Sequence, residues 1–145
     1  MTGAQPPAVG PLHHVAIIVR SIDEALPRYA ELFGLQPERE PFVFATQRVR
    51  LAFLRTGPPP AASLELLEPI DDESGVARFL ATRGEGLHHV CFTTTNLAAD
   101  LEALAAHGAE LIDHEPRPGA HGLVAFVHPR TLNGVLWELL EPSSG

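Results

Sequence analysis

The chain repeats itself, and that repeat constrains its fold more than any other feature. A shift of 75 residues lays Leu12-His13-His14-Val15-Ala16 over Leu87-His88-His89-Val90-Cys91. Seven residues beyond the second histidine of each copy stands a side chain suited to capping a helix, Ser21 in the first and Asn96 in the second. Behind each cap runs an apolar stripe at i, i+4, i+7 and i+8: Ile22, Leu26, Tyr29 and Ala30, then Leu97, Leu101, Leu104 and Ala105. That spacing is one face of a helix, and Gly34 and Gly108 follow as C-terminal stops. Ser21 with Glu24 also forms a capping box. Pro27 interrupts the first helix, so the sequence predicts either a kink there or a helix that starts only near Leu26.

After each helix come β-like runs, Arg48 to Leu54 and Ser63 to Leu67 in the first copy, Leu123 to Val127 and Val135 to Leu140 in the second. Gly57-Pro58-Pro59-Pro60 reads as a turn, and Asp71 to Arg83 as a short helix between the copies. Neither copy is large enough to bury its own sheet face. The expected fold is therefore α+β: two tandem modules packing their sheets into one curved trough with pseudo-twofold symmetry. Residues 1–11 read as a mobile lead and 12–145 as a single domain, with module 1 near 12–70, the linking helix near 71–83 and module 2 near 84–141.

The lead has no basic cluster followed by an apolar run, so it does not read as a secretory signal. No segment approaches the roughly 18 apolar residues of a membrane span. One cysteine, Cys91, rules out an internal disulfide framework and fits a reducing compartment, so a cytoplasmic location is expected. A formal charge of −8, with ten basic residues scattered among eighteen acids, lacks the basic stripe that nucleic acid or an anionic membrane requires. The partner left by these exclusions is a small molecule.

Alternation along the first strand puts His13, Val15, Ile17 and Val19 on one face and Leu12, His14, Ala16 and Ile18 on the other. The first set suits packing under a helix. The second pairs His14 with small Ala16, as His89 is paired with Cys91, which leaves room for a ligand. Glu65 and Glu138 are acids inside apolar strands, where a carboxylate costs several kcal/mol unless it is compensated. His14 and Glu65 lie 51 positions apart, His89 and Glu138 lie 49 apart, so both copies carry the same two side chains at corresponding places. Each residue alone has a bland reading as a core histidine or an edge glutamate. Together, two imidazoles and two carboxylates suit one divalent ion (Co, Mn, Ni, Zn or Fe) with positions left open for substrate.

Other candidates carry less. His107, His114 and His128 read as turn or helix-end residues, Cys91 as space-filling, and Glu68, before Pro69, as a strand end. Arg117-Pro118-Gly119-Ala120-His121-Gly122 is denser in unusual residues than a plain hairpin needs. Arg117, Gly119, Ala120, His121 and Gly122 are accordingly candidate substrate contacts.

Leu64-Glu65-Leu66-Leu67-Glu68-Pro69, Gly84-Glu85-Gly86-Leu87-His88-His89, Glu115 to Gly122, and Phe126-Val127-His128-Pro129 with Gly134-Val135-Leu136 resemble the vicinal oxygen chelate superfamily of paired βαβββ modules (glyoxalase, bleomycin resistance, dioxygenase). Within it, the likeness is to methylmalonyl-CoA epimerases, and it runs from about Leu12 to Glu141. The resemblance implies a metal held at His14, Glu65, His89 and Glu138. It also implies an acyl-CoA substrate whose α-proton is removed and returned on the opposite face through a metal-stabilised enolate, and a homodimer. Two bases serve such a reaction. One matches Glu138, whereas the other, a family glutamate, falls on Thr46, followed by Gln47 and by Arg48 in place of a usual glycine. A threonine hydroxyl is no free base near neutral pH. Three readings follow: an epimerase whose second base is Glu40, a water or His121; a related lyase, isomerase or decarboxylase needing one base; or a non-enzymatic small-molecule-binding member.

Overall fold

The computed structural model describes residues 5–7 and 9–143; Met1–Ala4 and Ala8 of the expected lead, with Ser144 and Gly145, lie outside the described residues. The chain divides into two compact units, one spanning His14–His88 and the other joining the residues up to His13 to those from His89 onward.

The His14–His88 unit carries β1 (Leu12–Ile18, from His14), α1 (Ile22–Phe33), β2 (Phe42–Phe44), β3 (Val49–Arg55), β4 (Ser63–Pro69) and α2 (Gly75–Arg83). Its strands run in the order β2-β3-β4-β1, with β1 parallel to β4 and the other pairs antiparallel. Ser21 caps α1 by accepting from the Glu24 N–H, and Gly34 closes it in the left-handed conformation at φ 69°. Ile17, Val19, Ala52, Leu54, Leu64 and Leu66 pack beneath Ile22, Ala25, Leu26 and Tyr29 of α1. Ala16, Ile18, Val49, Leu51, Phe53 and Leu67 form the opposite face, with Val76, Phe79 and Leu80 of α2 against them. The expected division of β1 into a helix-packing face and a face bearing His14 therefore holds.

The second unit repeats the pattern with β5 (Gly86–Thr93), α3 (Leu97–Ala106), β6 (Arg117–Pro118), β7 (Gly122–Val127) and β8 (Trp137–Pro142), in the order β5-β8-β7-β6. β5 is parallel to β8, and the Asn96 side chain caps α3 through the Ala99 N–H. Leu97 and Leu101 bury against Ala125 and Leu139. The chain is α+β, two βαβββ modules with α2 between them.

Several local expectations shift. β2 and β6 went unread because they are only three and two residues long; β6 is an edge strand and ends at once in Pro118, which has no N–H to continue the ladder. β8 begins at Trp137 and not at Val135, because the turn through Asn133 (φ 59°) and Gly134 (φ 74°) is still closing when the Val135 N–H donates to the Leu132 carbonyl. The lead is tied down where it meets the sheet: the Gly10 N–H donates to the Thr93 carbonyl, and the Thr93 N–H to that of Pro11.

α1 runs unbroken from Ile22 through Pro27 to Phe33. Pro27 and Asp23 both face solvent, so water can serve the Asp23 carbonyl that the proline leaves without its helical donor. Pro27→Ala restores that donor. Part of the roughly 3 kcal/mol interior penalty of proline is offset by the freer unfolded chain, so the expected gain is on the order of 1 kcal/mol. Urea unfolding should show a higher midpoint at unchanged slope.

Candidate functional site

Two equivalent pairs stand out, one in each unit. Parallel pairing of β1 with β4 sets Ala16 opposite Glu65, so His14, Ala16 and Glu65 share one face. The small Ala16 side chain leaves the glutamate room to reach along the sheet, and His14 Nε2 lies 3.4 Å from Glu65 Oε1. Phe53, across from Glu65 on β3, meets the His14 ring edge to face at 5.6 Å between centroids. In the other unit β5 and β8 set Cys91 opposite Glu138, and His89 Nε2 lies 3.0 Å from Glu138 Oε1. Phe126, across from Glu138 on β7, meets the His89 ring at 5.3 Å. All four polar residues are buried, at 4 to 6% exposure. Buried donors of this kind, His14, His89 and Glu138 among them, could hold a metal ion.

The first histidine of each copy is engaged elsewhere. His13 tilts against His121 at 5.4 Å and His88 stands edge-on to Phe79 at 5.1 Å. Cys91 is fully buried and fills space beside the glutamate.

Thr46 is exposed, in a 3-10 turn spanning Ala45–Gln47, and Arg48 closes that turn in the left-handed conformation at φ 58°, ψ 42°. A glycine takes this conformation freely, which explains why one would be usual there. Arg48 is held in it by Asp71 (2.7 Å) and Glu73 (2.9 Å), and these carboxylates keep its guanidinium above its ordinary range. The Asp71 carboxyl is held below its ordinary range, first by the Glu73 N–H. Glu38 accepts from the Ser63 hydroxyl at 2.7 Å, and Glu40 is exposed.

The 117–122 segment is a hairpin, β6 turning into β7, and its unusual residues have structural uses. Arg117 Nε donates to Asp113 at 3.0 Å while the guanidinium lies 5.4 Å over the Phe126 ring, the ring that walls His89. The Gly119 N–H closes the turn on the Gly122 carbonyl at 2.7 Å. Ala120 and His121 are exposed at its tip. His107 caps α3, and His128 Nδ1 accepts from the Arg130 N–H. Glu110, its neighbour, is held below the ordinary carboxylate range, first by its hydrogen bond from Arg130. His114 is an exposed loop residue.

Sequence reasoning missed the two phenylalanine walls and took Glu68 for a plain strand end. In fact Glu68 Oε1 accepts from the Ile22 N–H at the start of α1, and Glu141 Oε1 from the Leu97 N–H at the start of α3, at 2.7 and 2.8 Å. The signal was present as an identical pentapeptide, Glu-Leu-Leu-Glu-Pro at 65–69 and again at 138–142.

A βαβββ repeat with a histidine on the first strand of each module and a glutamate on the last defines a class. The chain belongs to the Glyoxalase/Bleomycin resistance protein/Dioxygenase superfamily, whose model matches residues 13–126. It is 42% identical to the uncharacterized Bacillus subtilis protein YqjC, over 90% of this chain and 91% of that one. It is 34% identical to the ethylmalonyl-CoA/methylmalonyl-CoA epimerase of Cereibacter sphaeroides, over 90% and 97%. A variant of Streptomyces coelicolor methylmalonyl-CoA epimerase in complex with 2-nitronate-propionyl-CoA matches with a TM-score of 0.87 and 31% identity, over 94% and 97% of the two chains.

A structural use for the hairpin glycines is testable apart from any substrate. A Cβ on Gly122, whose φ is 149°, would stand 2.2 Å from the Glu141 carbonyl oxygen, whereas the nearest atom to one on Gly119 is a Val124 methyl at 2.7 Å. Backbone cannot yield as a side chain can. Gly122→Ala should therefore cost on the order of 4 kcal/mol or prevent folding, and Gly119→Ala distinctly less, read by thermal unfolding.

Proposed function

We propose that this chain is a divalent-metal-dependent epimerase of the methylmalonyl-CoA epimerase type, acting on a 2-carboxyacyl-CoA or a similar compound. The observation that carries the reading is the duplication of a buried His–Glu pair at equivalent places in the two modules, 3.4 and 3.0 Å apart. In the proposal His14, Glu65, His89 and Glu138 hold one ion together. The donor set fits: two imidazole nitrogens and two carboxylate oxygens suit a borderline or hard divalent cation, and such a cation offsets the burial of two acids. When bound, the ion supplies Lewis-acid stabilisation of negative charge developing on the substrate oxygens.

The residues of the chain do the rest. Glu138 has a second duty as proton carrier: its carboxylate takes the α-proton, the C–H electron pair is left delocalised over the thioester carbonyl, and a proton given to the other face by Glu40, a water or His121 yields the epimer. Phe53 and Phe126 hold the two imidazoles and restrict water around them. In the proposal the exposed loop tip at Ala120 and His121 meets the acyl group or its carrier, while Arg117, Gly119 and Gly122 act by shaping that loop. A homodimer and a cytoplasmic location belong to the same proposal; among the described residues no helix is long and apolar enough to cross a membrane.

One observation favours a second reading. Thr46, which is exposed, matches by resemblance the place of the family's second base, so a related one-base isomerase, lyase or decarboxylase is the alternative.

Purified protein should bind about one divalent ion per chain, and His14→Ala or His89→Ala should abolish binding with the fold intact by circular dichroism. Elemental analysis after loading with Mn, Co, Ni and Zn in turn decides this. Glu138→Gln should slow proton exchange by on the order of 10², and Glu65→Gln much less, since an amide oxygen still coordinates. Equal losses would remove the asymmetry assigned to Glu138.

With one well-placed base, deuterium from heavy water should enter C2 of 2-methylmalonyl-CoA faster than the centre inverts. Thr46→Glu should raise inversion by about 10²-fold. Chiral analysis of C2 beside its deuterium content measures both, and equal exchange and inversion in the unaltered protein would mean that a second base is already in place.

A further inference from the structure

The edge of β7 is met by two pieces of chain in turn, and Phe126 falls between them. Toward one end Val124 pairs with Arg117 of β6. Toward the other, Leu111 bridges Val127 and the His128 N–H donates to the Glu110 carbonyl at 2.8 Å. Phe126 is held by Ile112 and Asp113. Its carbonyl accepts from their two N–H groups at 3.0 and 3.2 Å, and its own N–H donates to Asp113 Oδ2 at 2.8 Å. A side-chain carboxylate supplies here the acceptor that a neighbouring strand's carbonyl supplies elsewhere in the sheet. The other oxygen, Oδ1, accepts from Arg117 Nε at 3.0 Å, and the guanidinium lies 5.4 Å over the Phe126 ring. Asp113 thus holds Phe126 twice, directly by its backbone and through Arg117 by its ring. That ring stands at 87° to the His89 imidazole, 5.3 Å between centroids.

In the first unit the corresponding acid has another partner. Glu38 stands where the 75-residue repeat places the equivalent of Asp113, and it keeps the backbone bond, its N–H donating to the Phe53 carbonyl at 2.8 Å. Its carboxylate accepts from the Ser63 hydroxyl instead, at 2.7 Å. The carboxylate and cation of the second unit therefore serve the ring beside His89 and Glu138, the side to which the proton carrier is assigned. An ion pair and a cation–π contact as exposed as these contribute little to global stability. What they fix is the place of one ring.

We propose that Asp113 and Arg117 are a positioning pair for His89: they hold the Phe126 ring where it confines the imidazole, with Nε2 toward Glu138. The proposal rests on the reading of His89 and Glu138 as metal ligands only for its effect on metal binding. The placing of the ring can be read without metal.

The test uses the full chain carrying Arg117→Met, Arg117→Lys, Asp113→Ala or Asp113→Asn, with Asn96→Ala as a control that weakens the start of α3 in the same unit. Two readouts are taken well below the unfolding temperature. One is Mn(II) affinity; the other, in metal-free protein, is the ring resonances of Phe126 and His89 with the nuclear Overhauser contacts between them. Arg117→Met keeps aliphatic cover but removes the cation. It should weaken those contacts and lose about threefold in Mn(II) affinity, the scale of one partly exposed cation–π contact. Asp113→Ala also removes the acceptor for the Phe126 N–H and should lose about tenfold, the usual scale for support behind a ligand. Arg117→Lys keeps a cation and should recover part of the contacts and affinity. Asp113→Asn keeps an acceptor oxygen but no charge for Arg117, and should fall between Asp113→Ala and the unaltered protein. Asn96→Ala should lower stability but not affinity. Unchanged ring contacts in both Arg117→Met and Asp113→Ala overturn the proposal whether or not metal binds, as does an Asn96→Ala loss of affinity equal to that of Asp113→Ala. If the unaltered protein binds no Mn(II) while Arg117→Met still loosens the two rings, the metal reading fails and the positioning pair stands.

Discussion

Everything at the candidate site depends on the parallel pairing of the first and last strands of each module. A parallel pair cannot be closed by a tight turn; it needs a crossover, and in each module a helix and two further strands lie between β1 and β4 or β5 and β8. The helix then covers one face of that pair, and the histidine and glutamate lie on the other, which in the first unit also carries the apolar cluster under α2. On that second face the register places a small residue, Ala16 or Cys91, opposite the glutamate, so that the carboxylate reaches the histidine two residues earlier. Replace the small residue by a large one and the pair could not meet.

The two units agree closely in this respect and differ in how each is braced. Around Thr46 the first unit keeps a left-handed turn with an arginine in place of a residue without a side chain, and compensates with Asp71 and Glu73 from the loop that follows β4. The second unit braces its phenylalanine wall with Arg117, itself anchored on an Asp113 carboxylate that also accepts the Phe126 N–H. Duplication supplies two equal halves, and the loops that are free to differ make them unequal. A reaction that treats the two faces of one carbon differently needs such inequality.

Much of this could be read in the chain. The histidine of each copy that matters is marked by the small residue two positions on, and the glutamates by being acids among leucines. The helices are marked by Ser21 and Asn96 followed by apolar residues at helical spacing. All of these are local or repeat-level signals, and a duplicated chain prints each of them twice. The short edge strands were not legible: Phe42–Phe44 and Arg117–Pro118 are strands only because β3 and β7 are already in place to pair with them.

By itself, then, the sequence determined the doubled strand–helix–strand–strand order, the face of each first strand, and which four side chains are candidates for a metal, because periodicity and repetition need no knowledge of distant partners. Tertiary structure alone decided that Phe53 and Phe126 wall the imidazoles and that Arg117 braces one of those walls. It also decided that Glu68 and Glu141 cap helices that begin 46 and 44 positions earlier. Such contacts are set by the register between strands and by where a helix start comes to rest, and no local pattern carries that information.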